Sequence, residues 1–273
     1  MKETLKGWHR DIDPAWQDVI CDVRLGFDDV SANLMIEAWE PIFPTRRHNC
    51  LPGEPDGAHM LRAFDGIPPD AVRCVVLGQD PYPCPAFSTG RAFEAGNVAS
   101  WRELDKMFSK SVRAFLMQIA AARTGRPELA SDFERWPETL AGIESGSICI
   151  EKPSELADRW VESGVLLLNS SLTLSRFSVD SDPHQSQGHL PLWRPLILAV
   201  IRHLAAGGAP IVIIVLGDAA ADNAGRAQMC SRENALVIER PHPAFAAEFL
   251  ACANPFLACN AHLHRLGADP INW

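Results

Sequence analysis

Four polar segments, each directly after a run of apolar residues, carry the side chains that are best suited to chemistry. They offer carboxylates, amides, a phenol and an imidazole, and they are Gln79-Asp80-Pro81-Tyr82, Asn169, Gly217-Asp218 and His242-Pro243. A carboxylate and an imidazole in one site can orient water and stabilise a developing negative charge. Taken singly, an Asp-Pro turn, an Asn after a strand or a His-Pro loop is more often an ordinary turn. The functional reading therefore depends on whether the fold brings the four segments together.

The first segment follows the β-branched run Val75–Leu77 and begins beyond Gly78. Prolines at positions 81, 83 and 85 fix φ and remove backbone donors, so this stretch continues neither a central strand nor a helix. We expect a stiff loop at the carboxyl end of a buried strand, which is the edge where open α/β sheets bind ligands. Tyr82, the only tyrosine of the 273 residues, lies in this loop.

Three more apolar runs have the length of strands and alternate with helical patterns. The four predicted strands are Arg73–Leu77, Val165–Leu168, Ile211–Leu216 and Ala235–Ile238. With no hairpin signal between them, they predict an α/β fold, a three-layer α/β/α sandwich around a central four-stranded, mainly parallel sheet. The carboxyl ends of such strands lie along one edge, so the polar segments can share a cleft. We expect a single domain over residues 1–273.

Helical patterns precede, separate and follow the predicted strands. The predicted helices are Pro14–Val23, Val30–Trp39, His59–Phe64, a long helix capped by Ser100 that includes Met107 and Phe108, Glu155–Ser163, Pro191–Ala205, one from Ala219, and Pro255–Leu266. We interpret residues 1–50 as a helical N-terminal extension. Residues 124–153 hold glycines, prolines and acids with weak periodicity, which is typical of a surface insertion.

Composition sets limits on partners and location. The net charge of −9 argues against binding nucleic acid by bulk attraction, although backbone amides and helix N-termini can hold phosphate instead. No apolar run is long enough to span a bilayer, and the first residues lack a secretion signal, so we expect a cytoplasmic protein. The eight cysteines form no CxxC pair. Helical spacing puts Cys259 and His262, but not His264, on one face, so we expect no metal site.

Five ordered motifs resemble those of family 1 uracil-DNA glycosylases. They are GQDPY at 78–82 with the aromatic Phe93, GVLLLNSSLT at 164–173, RPHPAF at 240–245, FLACANPFLACNAHL at 249–263 and PINW at 270–273. The resemblance runs from about Leu51 to Trp273. It implies the fold of that family and hydrolysis of the N-glycosidic bond of deoxyuridine in DNA, with release of uracil in base excision repair. It also implies that no metal or organic cofactor is needed.

The resemblance also implies a role for each matching residue. The target nucleotide is flipped out of the stack, and Asp80 and His242 are the catalytic pair. Substrate-binding roles fall to four residues: Gln79, Tyr82, Phe93 and Asn169. The Asn169 amide matches the hydrogen-bonding edge of uracil and not that of cytosine. Tyr82 excludes the methyl group of thymine, and Phe93 stacks on the base.

Contacts to DNA are implied for the loops around these residues. The candidates are Ser88, Ser100, Gly217, Pro243, Ala244 and Phe245. Three positions depart from the family pattern: Pro83 replaces a histidine, Asp218 replaces a serine, and Ala246 stands where a leucine wedge is expected. Because alanine cannot fill the gap left by a flipped base, either Phe245 acts as the wedge or the enzyme prefers single-stranded DNA. We predict that preference, a monomer, and weak binding of protein inhibitors that grip the leucine.

Two other readings stay open. A glycosylase-like module that binds DNA or a partner without turnover is favoured by Pro83, Asp218 and the missing wedge, and opposed by Asp80, Asn169 and His242. A different α/β hydrolase with Asp80 and His242 as a pair is disfavoured because the chain lacks a GxSxG nucleophile elbow.

Overall fold

The central element of the computed structural model is a four-stranded sheet in which all strands are parallel. The structure describes residues 1–34, 36–37, 39–106, 109–175, 188–231 and 233–273. The strands are β1 (Cys74–Gly78), β2 (Val165–Asn169), β3 (Ile211–Leu216) and β4 (Ala235–Arg240). They lie in the order β2-β1-β3-β4. Every predicted strand is confirmed to within two residues at either end.

The strands are apolar throughout because the sheet is covered on both faces. Cys74 and Val76 of β1 point into one core, and Val75 and Leu77 point into the other. The alternation follows from the two-residue period of a strand, and β2 and β3 alternate in the same way. The result is the predicted three-layer α/β/α sandwich.

Eight α-helices in the described residues form the outer layers. They are α1 (Gln17–Ile20), α2 (Lys110–Thr124), α3 (Trp136–Ser145), α4 (Pro153–Glu162), α5 (Leu190–Ala206), α6 (Asp218–Arg226), α7 (Ala246–Ala251) and α8 (Pro255–Arg265). Helices α2, α3, α4 and α8 contribute to the core with Cys74, whereas α5 and α6 contribute to the core with Val75.

Three helix predictions are corrected. Within Val30–Trp39 the described residues form turns and no helix, and within His59–Phe64 only a 3-10 turn at Arg62–Phe64 forms. The long helix from Ser100 is a 3-10 helix, Trp101–Lys106, followed by α2. Glu103 Oε1 accepts the Ser100 N–H at 3.2 Å, so the cap is local to the 3-10 helix. Met107 and Phe108 of that prediction lie outside the described residues.

The two peripheral segments are packed into the cores. The N-terminal segment buries Trp16 completely, and the Trp16 indole donates to the Ile67 carbonyl at 2.8 Å. Residues 124–153, predicted as a surface insertion, contain α3 and bury Trp136 and Leu140 against the same core as α2. We propose that the whole chain forms a single domain, since both segments complete cores that the sheet shares.

The eight tryptophans are divided unequally between the interior and the surface. Seven are at most 8% exposed: Trp8, Trp16, Trp101, Trp136, Trp160, Trp193 and Trp273. Trp39 is 79% exposed. Both cores contain tryptophan, which supplies much of the apolar area that holds the outer layers on the sheet.

Candidate active site

The ends of β1 and β2 meet where glycine leaves room for an amide. Gly78 pairs with Asn169 in the sheet register. A Cβ at Gly78 would lie 2.6 Å from Asn169 Oδ1 and 3.2 Å from the Phe93 ring. Asn169 is 3% exposed, and its side chain makes no hydrogen bond to another described residue. The amide atoms are not among the fully buried polar atoms that lack a partner, so they keep some access to solvent and are open to a ligand.

The ends of β3 and β4 meet in the same manner. Gly217 has φ +88°, and a Cβ there would lie 2.8 Å from His242 Cβ. The Gly217 N–H donates to the Arg240 carbonyl at 3.0 Å, which ties the two strand ends together. The His242 ring lies 6.0 Å from the Phe93 ring, centroid to centroid. Phe93 therefore connects the Asn169 side of the cleft with the His242 side, as the parallel sheet predicts.

A backbone hydrogen bond within its own loop fixes the tautomer of His242. The Ala244 N–H donates to His242 Nδ1 at 3.2 Å, so Nδ1 is an acceptor and Nε2 carries the proton of the neutral ring. Burial lowers the pKa of His242 below its usual value of 6.5. The imidazole is therefore neutral at pH 7 and presents an N–H donor.

The Asp80 side chain is partly exposed, and its pKa is raised. Burial raises the pKa of Asp80 to about 7, and a long contact of 3.4 Å from the Gln79 amide opposes the rise. The backbone is fixed beside it, because the Ser171 N–H donates to the Gln79 carbonyl at 2.8 Å. A carboxylate with a pKa near neutrality, at the mouth of a cleft, is suited to general-base chemistry.

Tyr82 is held by the packing of its ring. Burial raises the pKa of its phenol, and the nearby Ser111 of α2 opposes that rise. The hydroxyl has no hydrogen bond of standard geometry to a described residue. The ring packs beside Phe93 against the core that contains α2. Its position is fixed by packing, which suits a steric role better than a chemical one.

Phe93 has a rare backbone conformation, and its ring is supported by an aromatic residue of α2. Its φ is +59°, in the left-handed region. Its ring stacks on Phe115 of α2 at 4.7 Å and 9°. Phe115 in turn contacts Trp160 and Phe256, at 5.7 Å and 4.8 Å between centroids. Phe115 lies in the helix predicted from Ser100, and nothing in its sequence context indicates this contact.

The candidate DNA-binding residues divide into accessible and inaccessible groups. Phe245 is 62% exposed and Ala244 is exposed, whereas Pro243 is buried beneath them. Ala246, the expected wedge position, is the first residue of α7 and fully buried, so it cannot contact DNA. Ser100 is exposed. The Ser88 hydroxyl is buried without a hydrogen-bond partner among the described residues, so phosphate could reach it only after a loop movement.

No group of three or more His, Cys, Asp or Glu side chains in the described residues is arranged to hold a metal ion. A groove of about 490 Å³ lies between α1 and α5, far from the strand ends in the topology. It is lined by Asp22, Asp29, Arg24, Arg194 and Arg202, among others. Its mixed charges offer no catalytic constellation, so the strand-end cleft is the candidate active site.

Comparison with known proteins identifies the family. Uracil-DNA glycosylases of Mycobacterium tuberculosis (strain ATCC 25618 / H37Rv) and Mycobacterium bovis (strain BCG / Pasteur 1173P2) are 31% identical to this chain over 226 residues, which is 80% of either protein in each pair. The chain belongs to the uracil-DNA glycosylase family. That of Mycobacterium avium (strain 104) is 29% identical over 225 residues. A scan against protein-family models finds no match.

Solved uracil-DNA glycosylase structures share this fold. The enzyme of Nitratifractor salsuginis superposes with a TM-score of 0.60 at 24% identity, over 92% of this chain and 90% of its own. The mimivirus enzyme superposes with a TM-score of 0.62 at 16% identity, over 98% of this chain and 89% of its own. A variant of the mimivirus enzyme has been solved in complex with UGI.

Proposed function

We propose that this protein is an active uracil-DNA glycosylase that hydrolyses the N-glycosidic bond of deoxyuridine and leaves an abasic site. The observation that carries the proposal is the placement of Asn169, Phe93 and His242 around one cleft, with Asp80 on the adjoining loop. These groups come from three strand ends, and together they supply the base-reading amide, the stacking ring, the anion-stabilising donor and the water-orienting carboxylate that the reaction needs.

Base selection follows from one amide and two rings. The Asn169 amide accepts from N3–H of uracil and donates to O4, and cytosine reverses that pattern. A cytosine in the cleft would leave the buried amide unpaired, which costs about 1–3 kcal/mol. The Phe93 ring stacks on the base, and Tyr82 occupies the space that the thymine methyl would need. Hydrogen bonding thus excludes cytosine, and sterics exclude thymine.

Bond cleavage needs charge stabilisation on both sides of the glycosidic bond. As the sugar becomes oxocarbenium-like, uracil leaves as an anion, and His242 Nε2–H donates to its O2. A neutral imidazole is already the donor that this step requires. Asp80, when ionised, orients the attacking water, offsets the positive sugar and accepts the proton of the water late in the reaction. Gln79 holds the O2 side of the base.

DNA contacts are proposed for the exposed loops. Ser100 and the N–H groups in the first turn of α6, directly after Gly217, grip phosphate without a basic surface, which fits the negative net charge. The N–H groups of Gly217 and Ala244 themselves donate to Arg240 and His242. Phe245 is the exposed aromatic of the histidine loop and fills the gap left by a flipped base. An aromatic in that place should bind weakly to protein inhibitors that grip a leucine. Because Phe245 replaces the leucine wedge only in part, the enzyme should still prefer single-stranded DNA.

We further propose that the protein is a monomer of the cytoplasm. All eight cysteines lie in described residues and are free, and Cys21, Cys50, Cys149 and Cys230 are exposed, which suits a reducing compartment. No helix in the described part of the chain is long and apolar enough to cross a bilayer.

The test is incubation with single-stranded oligonucleotides that carry one U, T or C, in the presence of EDTA. Abasic sites are scored by alkaline cleavage. We expect cleavage at U alone and its loss in Asp80→Asn and His242→Ala. Retained oligonucleotide binding without cleavage would instead support the non-catalytic module, which Pro83 and Asp218 favour.

A further inference from the structure

A buried charge cluster is formed by side chains that lie on either side of Phe93 in the chain. Arg91 and Glu94 have side chains only 6% and 8% exposed, and Arg91 Nη1 lies 3.5 Å from Glu94 Oε1. Arg62 Nη2 approaches the same Glu94 oxygen at 3.7 Å, and Asp158 binds Arg91 at 2.6 Å from the surface side. The pair therefore spans the turn that contains Phe93, which lies between Arg91 and Glu94 in the chain.

This pair is an unfavourable choice for stability alone. Taking two charges out of water costs several kcal/mol per ion, and well-packed apolar residues often do as well or better. The hydrogen-bonding capacity of the pair is also not fully used, because Arg91 Nε and Glu94 Oε2 are buried without a hydrogen-bond partner among the described residues. A cluster of this kind points to a conformational role.

The conformation that needs support is that of Phe93. A left-handed φ is strained for a residue with a bulky side chain, and it persists only where the surroundings enforce it. Backbone bonds hold the preceding residues: the Ala92 N–H donates to the Leu167 carbonyl at 3.1 Å, and the Arg91 N–H donates to Thr89 Oγ1 at 3.1 Å. On the other side of Phe93, Arg91 and Arg62 hold the Glu94 side chain. The backbone is held again only from Ala95 onward, where Ala95 bridges to Ser88 and the Gly96 N–H donates to the Phe87 carbonyl at 3.0 Å.

We propose that Glu94, clamped by Arg91 and Arg62, is a positioning residue that holds the Phe93 ring in register with Phe115 for base stacking. Glu94 does not touch the base; it acts through Phe93. The inference rests on the proposed function, because it assumes that uracil stacks on Phe93.

The decisive test separates positioning from folding. Glu94→Gln removes the charge at constant shape, and the pair Arg91→Met with Glu94→Leu replaces the ions by apolar groups that keep the core filled. We expect either change to lower kcat/KM on single-stranded uracil DNA by about tenfold, because small errors of orientation are costly in catalysis. Inhibition by free uracil should weaken in parallel, while the apolar pair keeps or raises the melting temperature.

A double-mutant cycle with Phe93→Ala tests whether Glu94 affects catalysis through the Phe93 ring. If Glu94 acts through the ring, Glu94→Gln in the Phe93→Ala background should change kcat/KM by less than about twofold. Asp11→Asn is the matched control, since it breaks another largely buried ion pair, with Arg46 at 2.7 Å, in the N-terminal segment. It should lower stability and leave uracil inhibition unchanged.

The possible failures are distinguishable. Unchanged uracil inhibition in Phe93→Ala would remove the proposed stacking itself. Weakened inhibition in Phe93→Ala, with normal kcat/KM and inhibition in both Glu94 variants, would overturn only the positioning role. An equal effect of Glu94→Gln with and without the ring would also overturn it.

Discussion

Gly217 and His242 are in direct contact: a Cβ added at Gly217 would come within 2.8 Å of His242 Cβ, and φ of Gly217 is +88°. Two separate constraints therefore require glycine at position 217: its positive φ, and the space that His242 occupies. The two reasons can be separated by experiment.

Gly217→Ala should reduce both stability and turnover. The left-handed φ costs about 1–3 kcal/mol for a residue with a Cβ, and the contact displaces His242 from the cleft. Gly208→Ala is the matched control, because its φ is +75° but nothing lies within 4 Å of the added Cβ. Urea unfolding and single-turnover cleavage should show a stability loss in both variants and a rate loss of about 10²-fold in Gly217→Ala alone. Equal rates in the two variants would contradict the contact.

Turnover should depend on the ionisation of Asp80. With a pKa of about 7, Asp80 is protonated in acid and no longer orients water, so the rate should fall about tenfold per pH unit below neutrality. Single-turnover rates between pH 5 and 9 measure this limb. A flat profile down to pH 5 would show that the carboxylate in the working enzyme is a stronger acid.

The same group should cost stability when it is ionised. The pKa of Asp80 in the folded state lies above the usual 3.8 of an aspartate, so the folded state holds the proton more tightly. This contribution to stability is lost as pH rises from about 4 to 7. Asp80→Asn should therefore raise the unfolding free energy at pH 8 by on the order of a few kcal/mol, and little at pH 4. Asp70→Asn, at an exposed position, is the control for a general charge effect.

Gly78→Ala should disturb recognition of the base without a backbone penalty. The new Cβ would lie 2.6 Å from Asn169 Oδ1, so the amide must turn away from the position that reads N3–H and O4. We expect kcat/KM on uracil DNA to fall by at least about tenfold, which corresponds to one lost hydrogen bond to a buried amide. Gly225→Ala, in α6 with nothing within 4 Å, should leave activity unchanged. A normal kcat/KM in Gly78→Ala would place the reading group elsewhere.

Phe245→Ala should affect duplex DNA more than single strands. An exposed aromatic beside the cleft can fill the gap of a flipped base only where a stack exists to be filled. We expect the ratio of single-strand to duplex rates, already above one in the wild type, to rise by about tenfold, in line with a few kcal/mol for unstacking. Leu257→Ala, 52% exposed on α8, is the control. Equal wild-type rates on both substrates would refute the single-strand preference.

The strands were predictable because burial on both faces leaves only an apolar run, which the sequence displays directly. The edge strand β4 extends two residues further than predicted, to Glu239 and Arg240, because one side of an edge tolerates polar groups. The helix predicted at Val30–Trp39 had the right pattern but lacks the packing that stabilises short helices. Trp39 remains exposed instead of covering a core.

The site was predictable in its polar strand ends and not in its supports. Asp80, Asn169 and His242 follow apolar runs, and parallel topology brings such ends to one edge. The burial of Arg91 and Glu94 could not be predicted, because charged residues are rarely buried and no local pattern marks an exception. The exposure of Phe245 and the burial of Ala246 likewise depend on where α7 begins, which is set by tertiary packing.

Because seven tryptophans are buried and one is exposed, intrinsic tryptophan fluorescence reports on the packing of this protein. Seven indoles report from the interior, with Trp16 and Trp193 on one face of the sheet and Trp160 and Trp273 on the other. An aqueous quencher such as iodide should therefore reach only the emission of Trp39 in the folded state. Any substitution that loosens either outer layer will reveal itself as a red-shifted, newly quenchable fraction, before catalysis is assayed.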